Sequence, residues 1–168
     1  MSLAVTTLPK QLDDLRGEIY RLLPPYEAER WQCRFDDTAA DADLSRVWDQ
    51  FSRWLLLDDD LGVIQYARTD DNRDFIHRAK SAEHDAIYMA AIRTTADGYA
   101  AAYGADPSTV YRCSAYPEGF ALYTAAHINA DRADWAVNAH AIANMAAGKT
   151  GVIWFQAEHL LKVLRSQS

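Results

Sequence analysis

The groups in this chain that could do chemistry are five histidines, two cysteines and 24 acidic residues. A zinc or di-iron site built on helices needs ligands that share one face within a turn, as in His-x3-His, His-Glu-x-x-His or Glu-x-x-His. None of these spacings occurs. Four residues after His77, His84, His127 and His140 stand Ser81, Tyr88, Asp131 and Asn144, and no Glu is followed three residues later by His. His77 and His84 are seven apart, so a helix carrying both places them on one face two turns apart. His127 and Asp131 form an i, i+4 pair near a helix end, where an ion pair or hydrogen bond is the commoner role. His77, His84, His127 and Asp131 are therefore the residues a metal would use, but only if another helix completed the set. The expectation is no metal.

Other chemical signatures fail on spacing. Gly148-Lys149-Thr150 looks like the tail of a phosphate-binding loop, but that loop needs a glycine at position 143 and a strand before it. Position 143 is Ala143, and the preceding residues read as helix, so Gly148 is expected to be a helix C-cap. Asp58-Asp59-Asp60-Leu61-Gly62 resembles a calcium loop, yet from Asp58 the fifth position is Gly62 and the twelfth is Thr69, which breaks the ligand pattern. Cys33 and Cys113 are isolated and are expected to be reduced. Gly-x-Ser-x-Gly is absent. Glu83, His84 and Asp85 are consecutive, so on a helix they point in different directions. No catalytic residue and no cofactor is assigned, and a non-enzymatic protein is expected.

The elements that would position these groups are helical. Leu8, Leu12, Leu15, Ile19 and Leu22 form one helical stripe, ended by Pro24-Pro25. Pro25 can open a second helix to about Phe35, with Tyr26 and Trp31 available to the core. After an Asp-rich loop, Asp41 or Asp43 caps a third helix whose stripe is Leu44, Val47, Trp48, Phe51 and Leu55. Residues 61–66 break the pattern and read as a short strand or extended loop. Asp71 or Asn72 opens a long fourth helix towards Tyr103, with Gly104 as its cap, and Asp106-Pro107 starts another. Helices are expected from about Pro117 to Ala130, then from Asp131 with Trp135, Ile142 and Met145, ending at Gly148. The last spans Thr150 to Arg165 with Ile153, Ala157, Leu160, Leu161 and Leu164 inward.

Of 29 alanines, 22 lie between Ala79 and Ala147, and small residues let helix axes approach closely. The sum is one all-α domain over 1–168, a bundle of six to eight helices. No stretch reaches the roughly 18 apolar residues needed to span a bilayer, and no signal peptide is seen, so a cytoplasmic location is expected. The alanine-rich composition is of a kind met in GC-rich bacterial genomes.

Net charge is −7, which disfavours nucleic acid and anionic membranes as partners. Eight aspartates fall between positions 36 and 60. As an acidic surface recognising a basic protein, the residues would be Asp36, Asp37, Asp41, Asp58, Asp59 and Asp60 with Trp54, since tryptophan beside charge anchors many interfaces. The function expected is therefore macromolecular binding, of a regulatory, adaptor or immunity type, with a homodimer as a further option. The alternative is a metal-binding or metal-dependent helical protein in which His77, His84, His127, His140 or His159 converge with acidic neighbours from different helices.

Leu22-Leu23-Pro24-Pro25-Tyr26, Leu44-Ser45-Arg46-Val47-Trp48-Asp49 and Ser81-Ala82-Glu83-His84-Asp85-Ala86-Ile87-Tyr88-Met89 together resemble the YjaG-like bacterial family. The likeness touches about half of the chain. It implies a small all-α fold and no mechanism, and it carries over no site residue. The family's aromatic-glycine loop between the first two elements is replaced here by Asp36 to Asp43.

Overall fold

The structure, a computed structural model, describes residues 7–79 and 117–167. Among these residues there are seven α-helices and two 3-10 turns, with no strand: α1 (Lys10–Leu22), α2 (Pro25–Ala39), η1 (Leu44–Arg46), α3 (Val47–Leu57), η2 (Val63–Tyr66), α4 (Asp70–His77), α5 (Pro117–Asn129), α6 (Ala133–Ala146) and α7 (Val152–Ser166). The all-α bundle read from the periodicity is present. The fifth-to-sixth helix start at Asp106, the Gly104 cap and His84 lie outside the described residues.

Alanine determines the centre. α5 packs most extensively on α6, and α6 also touches α1, α3, α7 and η2. Ala121, Ala125, Ala126, Ala133, Ala136, Ala139, Ala143 and Ala146 are all buried there. Both helices are buried on nearly all sides, which is how a central helix differs from an amphipathic surface one. Around this pair the bulky residues Trp31, Phe35, Phe51 and Phe75 complete one contiguous apolar cluster that draws on every described α-helix.

Several local expectations are corrected. Residues 61–66 are not a strand. Asp58 Oδ2 accepts the N–H groups of Asp60 (3.1 Å) and Leu61 (2.9 Å), and i→i+3 bonds follow from Gln65 to Gly62 and from Ala67 to Ile64. Backbone groups are satisfied within the segment, which winds it into a 3-10 turn instead of leaving an edge to pair. The fourth helix stops at His77 rather than running towards Tyr103. Ala79 N–H turns back to the Ile76 carbonyl, and the Ala79 carbonyl accepts from Asn129 Nδ2 of α5 at 3.0 Å. A tertiary contact thus fixes the turn that follows the helix against α5. Asp43 caps η1 through Ser45, and α3 proper begins only at Val47. Tyr26 and Trp135 are exposed rather than in the core.

Two glycines make opposite demands. A Cβ at Gly62 would lie 2.3 Å from the Asp58 nitrogen and 2.5 Å from its carbonyl oxygen, whereas nothing lies within 4 Å of one at Gly17 in α1. Gly62→Ala should therefore lower stability by about 1–3 kcal/mol through backbone overpacking. Gly17→Ala should raise it by about 0.5–1 kcal/mol through lost unfolded-state freedom. Urea unfolding followed by circular dichroism measures both, and equal effects at the two sites would contradict the packing described.

Candidate functional site

α7 is the element on which polar and aromatic groups converge. Gly151, at φ 69°, leads into it, and its inner side buries Val152, Gln156, Ala157, Leu160, Leu161, Val163 and Leu164. Two hydrogen-bonded anchors set its position. Gln156 Nε2 donates to the Val137 carbonyl at 3.0 Å and to His140 Nδ1 at 2.8 Å. Trp31 Nε1 donates to the Ala157 carbonyl at 2.9 Å. With Trp31 against Ala157, Arg34 against Glu158 and the Asp43 N–H on the Gln167 carbonyl, α2 and α7 run parallel. α3 runs the other way, from η1 beside Gln167 to Asp58 beside His159.

What remains on the outer face of α7 recurs at spacings of three and four: Trp154, Phe155, Glu158, His159, Lys162 and Arg165. Trp154 is 43% exposed and Phe155 52%, and Tyr26, at the same end of the parallel α2, is 71% exposed with the Arg30 guanidinium 5.8 Å from its ring centre. Glu158 is held bidentately by Arg34 (2.7 and 3.2 Å). On one flank, a cleft of about 290 Å³ lies between Trp154 and Glu27, Arg30 and Arg34, with Trp31 as its floor. On the other, a cleft of about 430 Å³ opens between α3 and α7, bounded by Trp54, Asp58, Phe155, His159, Lys162 and Arg165. A larger hollow of about 520 Å³ beside Arg46, Asp49, Gln50 and Arg53 offers only rim charges of alternating sign and no ring.

The expected acidic surface is divided. Asp36, Asp37 and Asp41 sit exposed at the C-terminal end of α2, where Asp36 accepts from Gln32 (2.8 Å). Asp58, Asp59 and Asp60 sit beyond the far end of α3, an 11-residue helix, roughly 16 Å long at about 1.5 Å per residue. Asp58 is engaged in its own turn, and Asp60 pairs with Lys149 (3.2 Å). Trp54 joins only the second cluster and is half-buried, its ring stacked 4.3 Å from that of His159. Gly148, at φ 88°, ends α6, and Lys149 reaches Asp60 and the Gln65 carboxamide (3.1 Å).

The histidines are dispersed. His77 is exposed at the end of α4. His127 is buried in α5, its Nδ1 donating to the Tyr123 carbonyl at 2.9 Å, and Asp131, at φ 54° after that helix, accepts from Trp48 Nε1 at 3.2 Å. His140 is fully buried. Around it, Asn144 donates to the Leu61 carbonyl (2.9 Å) and accepts from the Tyr66 hydroxyl (2.6 Å). Among the described residues no group of three or more His, Cys, Asp or Glu is placed to hold a metal ion.

The exposed rings of Trp154, Phe155 and Tyr26 were missed as site residues in the sequence. A signal existed: the inward stripe Ala157, Leu160, Leu161 and Leu164 places two consecutive aromatics partly off that stripe. Trp135 is 47% exposed too, but its own chain attends it, with His127 stacked at 6.0 Å and the Arg132 guanidinium 5.9 Å from the ring centre. No family model, curated protein or solved structure matches this chain.

Burial holds the His140 imidazole neutral, pushing its pKa down from 6.5 to about 3. His159 is lowered to about 4, first by burial and then by Lys162, with Asp58 opposing. Both folded values lie below the unfolded one, so the unfolded chain takes up protons first as pH falls below about 6.5. Stability is therefore complete above that pH and declines down to about pH 3–4. For His140 the slope approaches about 1.4 kcal/mol per pH unit once the unfolded histidine is fully charged. Denaturant midpoints near pH 7 and near pH 5 measure the decline. His159→Phe, which keeps a ring on Trp54, should shallow it, and a slope unchanged in that variant would contradict the assignment of His159.

Proposed function

We propose that the protein works by binding another protein through the outer face of α7, as a small acidic regulatory, adaptor or immunity-type protein of the bacterial cytoplasm. One observation carries this. Trp154, Phe155 and Tyr26 are large rings left in solvent at one end of a helix pair whose other aromatic residues, Trp31 and Phe35, are buried. Clustered exposed aromatics mark contact surfaces on soluble domains, and Trp and Tyr, with Arg, dominate interface energetics. Clefts on both flanks supply depth for partner side chains. Among the described residues no helix is long and apolar enough to cross a membrane. The YjaG-like likeness contributes an expectation of fold and no mechanism.

The acidic clusters then act around this face rather than as the site itself. Asp58 and Asp60 border the larger cleft, and Asp36, Asp37 and Asp41 lie beyond the other end of α7. Complementary charge at such a rim raises association rate and partner discrimination more than affinity. The metal-dependent alternative finds less support, because His140 is sealed in the core, His127 and Asp131 are held by Tyr123 and Trp48, and His77 sits on a different helix.

A photoreactive phenylalanine analogue at position 155 tests the proposal in extract of the native host. Illumination should give discrete adducts that Trp154→Ala reduces at least about tenfold, the loss of a hot-spot ring being worth about 2 kcal/mol or more. The same analogue at position 135 should give none. Equal labelling from both positions, or no discrete adduct from 155, would remove the basis for a docking face on α7.

A further inference from the structure

Taking the outer face of α7 as a docking surface, we infer that its occupant is a second copy of this chain, laid antiparallel so that Glu158 of each protomer meets Lys162 of the other. The order of residues on this face is self-complementary. Along the exposed stripe the chain reads aromatic, acid, base, base: Phe155, Glu158, Lys162, Arg165. A two-fold axis at the level midway between positions 158 and 162 superposes Glu158 on Lys162 and Phe155 on Arg165. Both matches occur twice, because a two-fold interface is isologous. The first is an ion pair, and the second puts a guanidinium at a ring that is 52% exposed in the single chain. A parallel arrangement would instead set Glu158 on Glu158 and Lys162 on Lys162, so charge alone selects the antiparallel register.

The flanks agree with this occupant. Glu158 is already oriented by Arg34 at 2.7 Å, so its carboxylate is positioned before any partner arrives, and the arriving Lys162 extends a pair into a network. Lys162 is exposed, and it lies beside the larger cleft. The clefts of about 290 and 430 Å³ on the two sides of α7 leave the helix standing as a ridge. Two such ridges crossing near antiparallel fill one another's grooves. The chain's overall charge of −7 opposes association of two copies in general, and the two Glu158–Lys162 pairs act against that opposition at short range.

The experiment is sedimentation velocity of the full chain over a concentration series, with circular dichroism confirming that each variant folds. Wild type should sediment as a dimer at tens of micromolar. Glu158→Lys alone and Lys162→Glu alone should each weaken dimerisation by about tenfold or more, since each reversal turns two attractive contacts into two repulsive ones. The double variant, carrying both reversals, should dimerise more tightly than either single variant, because the reversed pair is again complementary across the axis. A wild-type monomer at every concentration would overturn the inference. So would a dimer indifferent to the single reversals, or a folded double variant that stays monomeric. The docking face itself is judged separately: an adduct from position 155 to a different protein, with no self-adduct, retains that face and rejects the second copy.

Discussion

A single buried amide determines which way α7 faces. Gln156 Nε2 is shared between the Val137 carbonyl and His140 Nδ1, and both acceptors lie on the buried, alanine-rich helix α6. Rotating α7 by one residue, about 100°, would remove the donor and leave His140 Nδ1 buried and unmatched, at a cost of roughly 1–3 kcal/mol. Trp31 repeats the constraint one residue on, through the Ala157 carbonyl. Gln156 Oε1 has no hydrogen-bond partner among the described residues, so the amide is engaged on its donor side alone. What the amide supplies is orientation. With it in place, Trp154, Phe155, Glu158, His159, Lys162 and Arg165 have only one direction in which to point.

The same logic explains what was legible in the sequence. Stripes such as Leu12, Leu15 and Ile19, or Leu160, Leu161 and Leu164, identify helices and their inner sides because burying a stripe is the main reason a surface helix forms. Capping was legible in part for the same local reason: Asp43, expected to cap the third helix, binds an N–H two residues on at the start of η1. Residues 61–66 and the end of the fourth helix were not legible. There the outcome is decided by Gln65 reaching Asp60 and Gly62 carbonyls and by Asn129 arriving from fifty positions away. The site was legible only in part. That Trp154 and Phe155 are left outside follows from α2 and α3 covering α7 on two sides only, which is a property of tertiary packing.

Eight aspartates between positions 36 and 60 suggest one acidic surface, but a helix intervenes. Charge counted along a chain becomes a field only after folding decides the distances, and ions separated by more than about 8–10 Å at ordinary ionic strength act almost independently. The two clusters at opposite ends of α3 are therefore separate features. Several members are also spent locally: Asp36 accepts from Gln32, Asp43 from Ser45 and Asp58 from its own turn.

Running side by side in the same sense, α2 and α7 add their peptide dipoles instead of cancelling them. Their amino-terminal poles, neither of them closed by a capping side chain, emerge together beneath Tyr26 and Trp154, and their carbonyl poles emerge together beside Arg165. Each helix contributes about half an elementary charge of opposite sign at its two ends, so the pair forms a small permanent bar of polarity across an otherwise acidic molecule. Lys162 and Arg165 act against its negative end, where Asp36, Asp37 and Asp41 also sit, while the positive end has only Glu27 in the first turn of α2. Any helix settling across this bar in the opposite sense lowers the field energy of both.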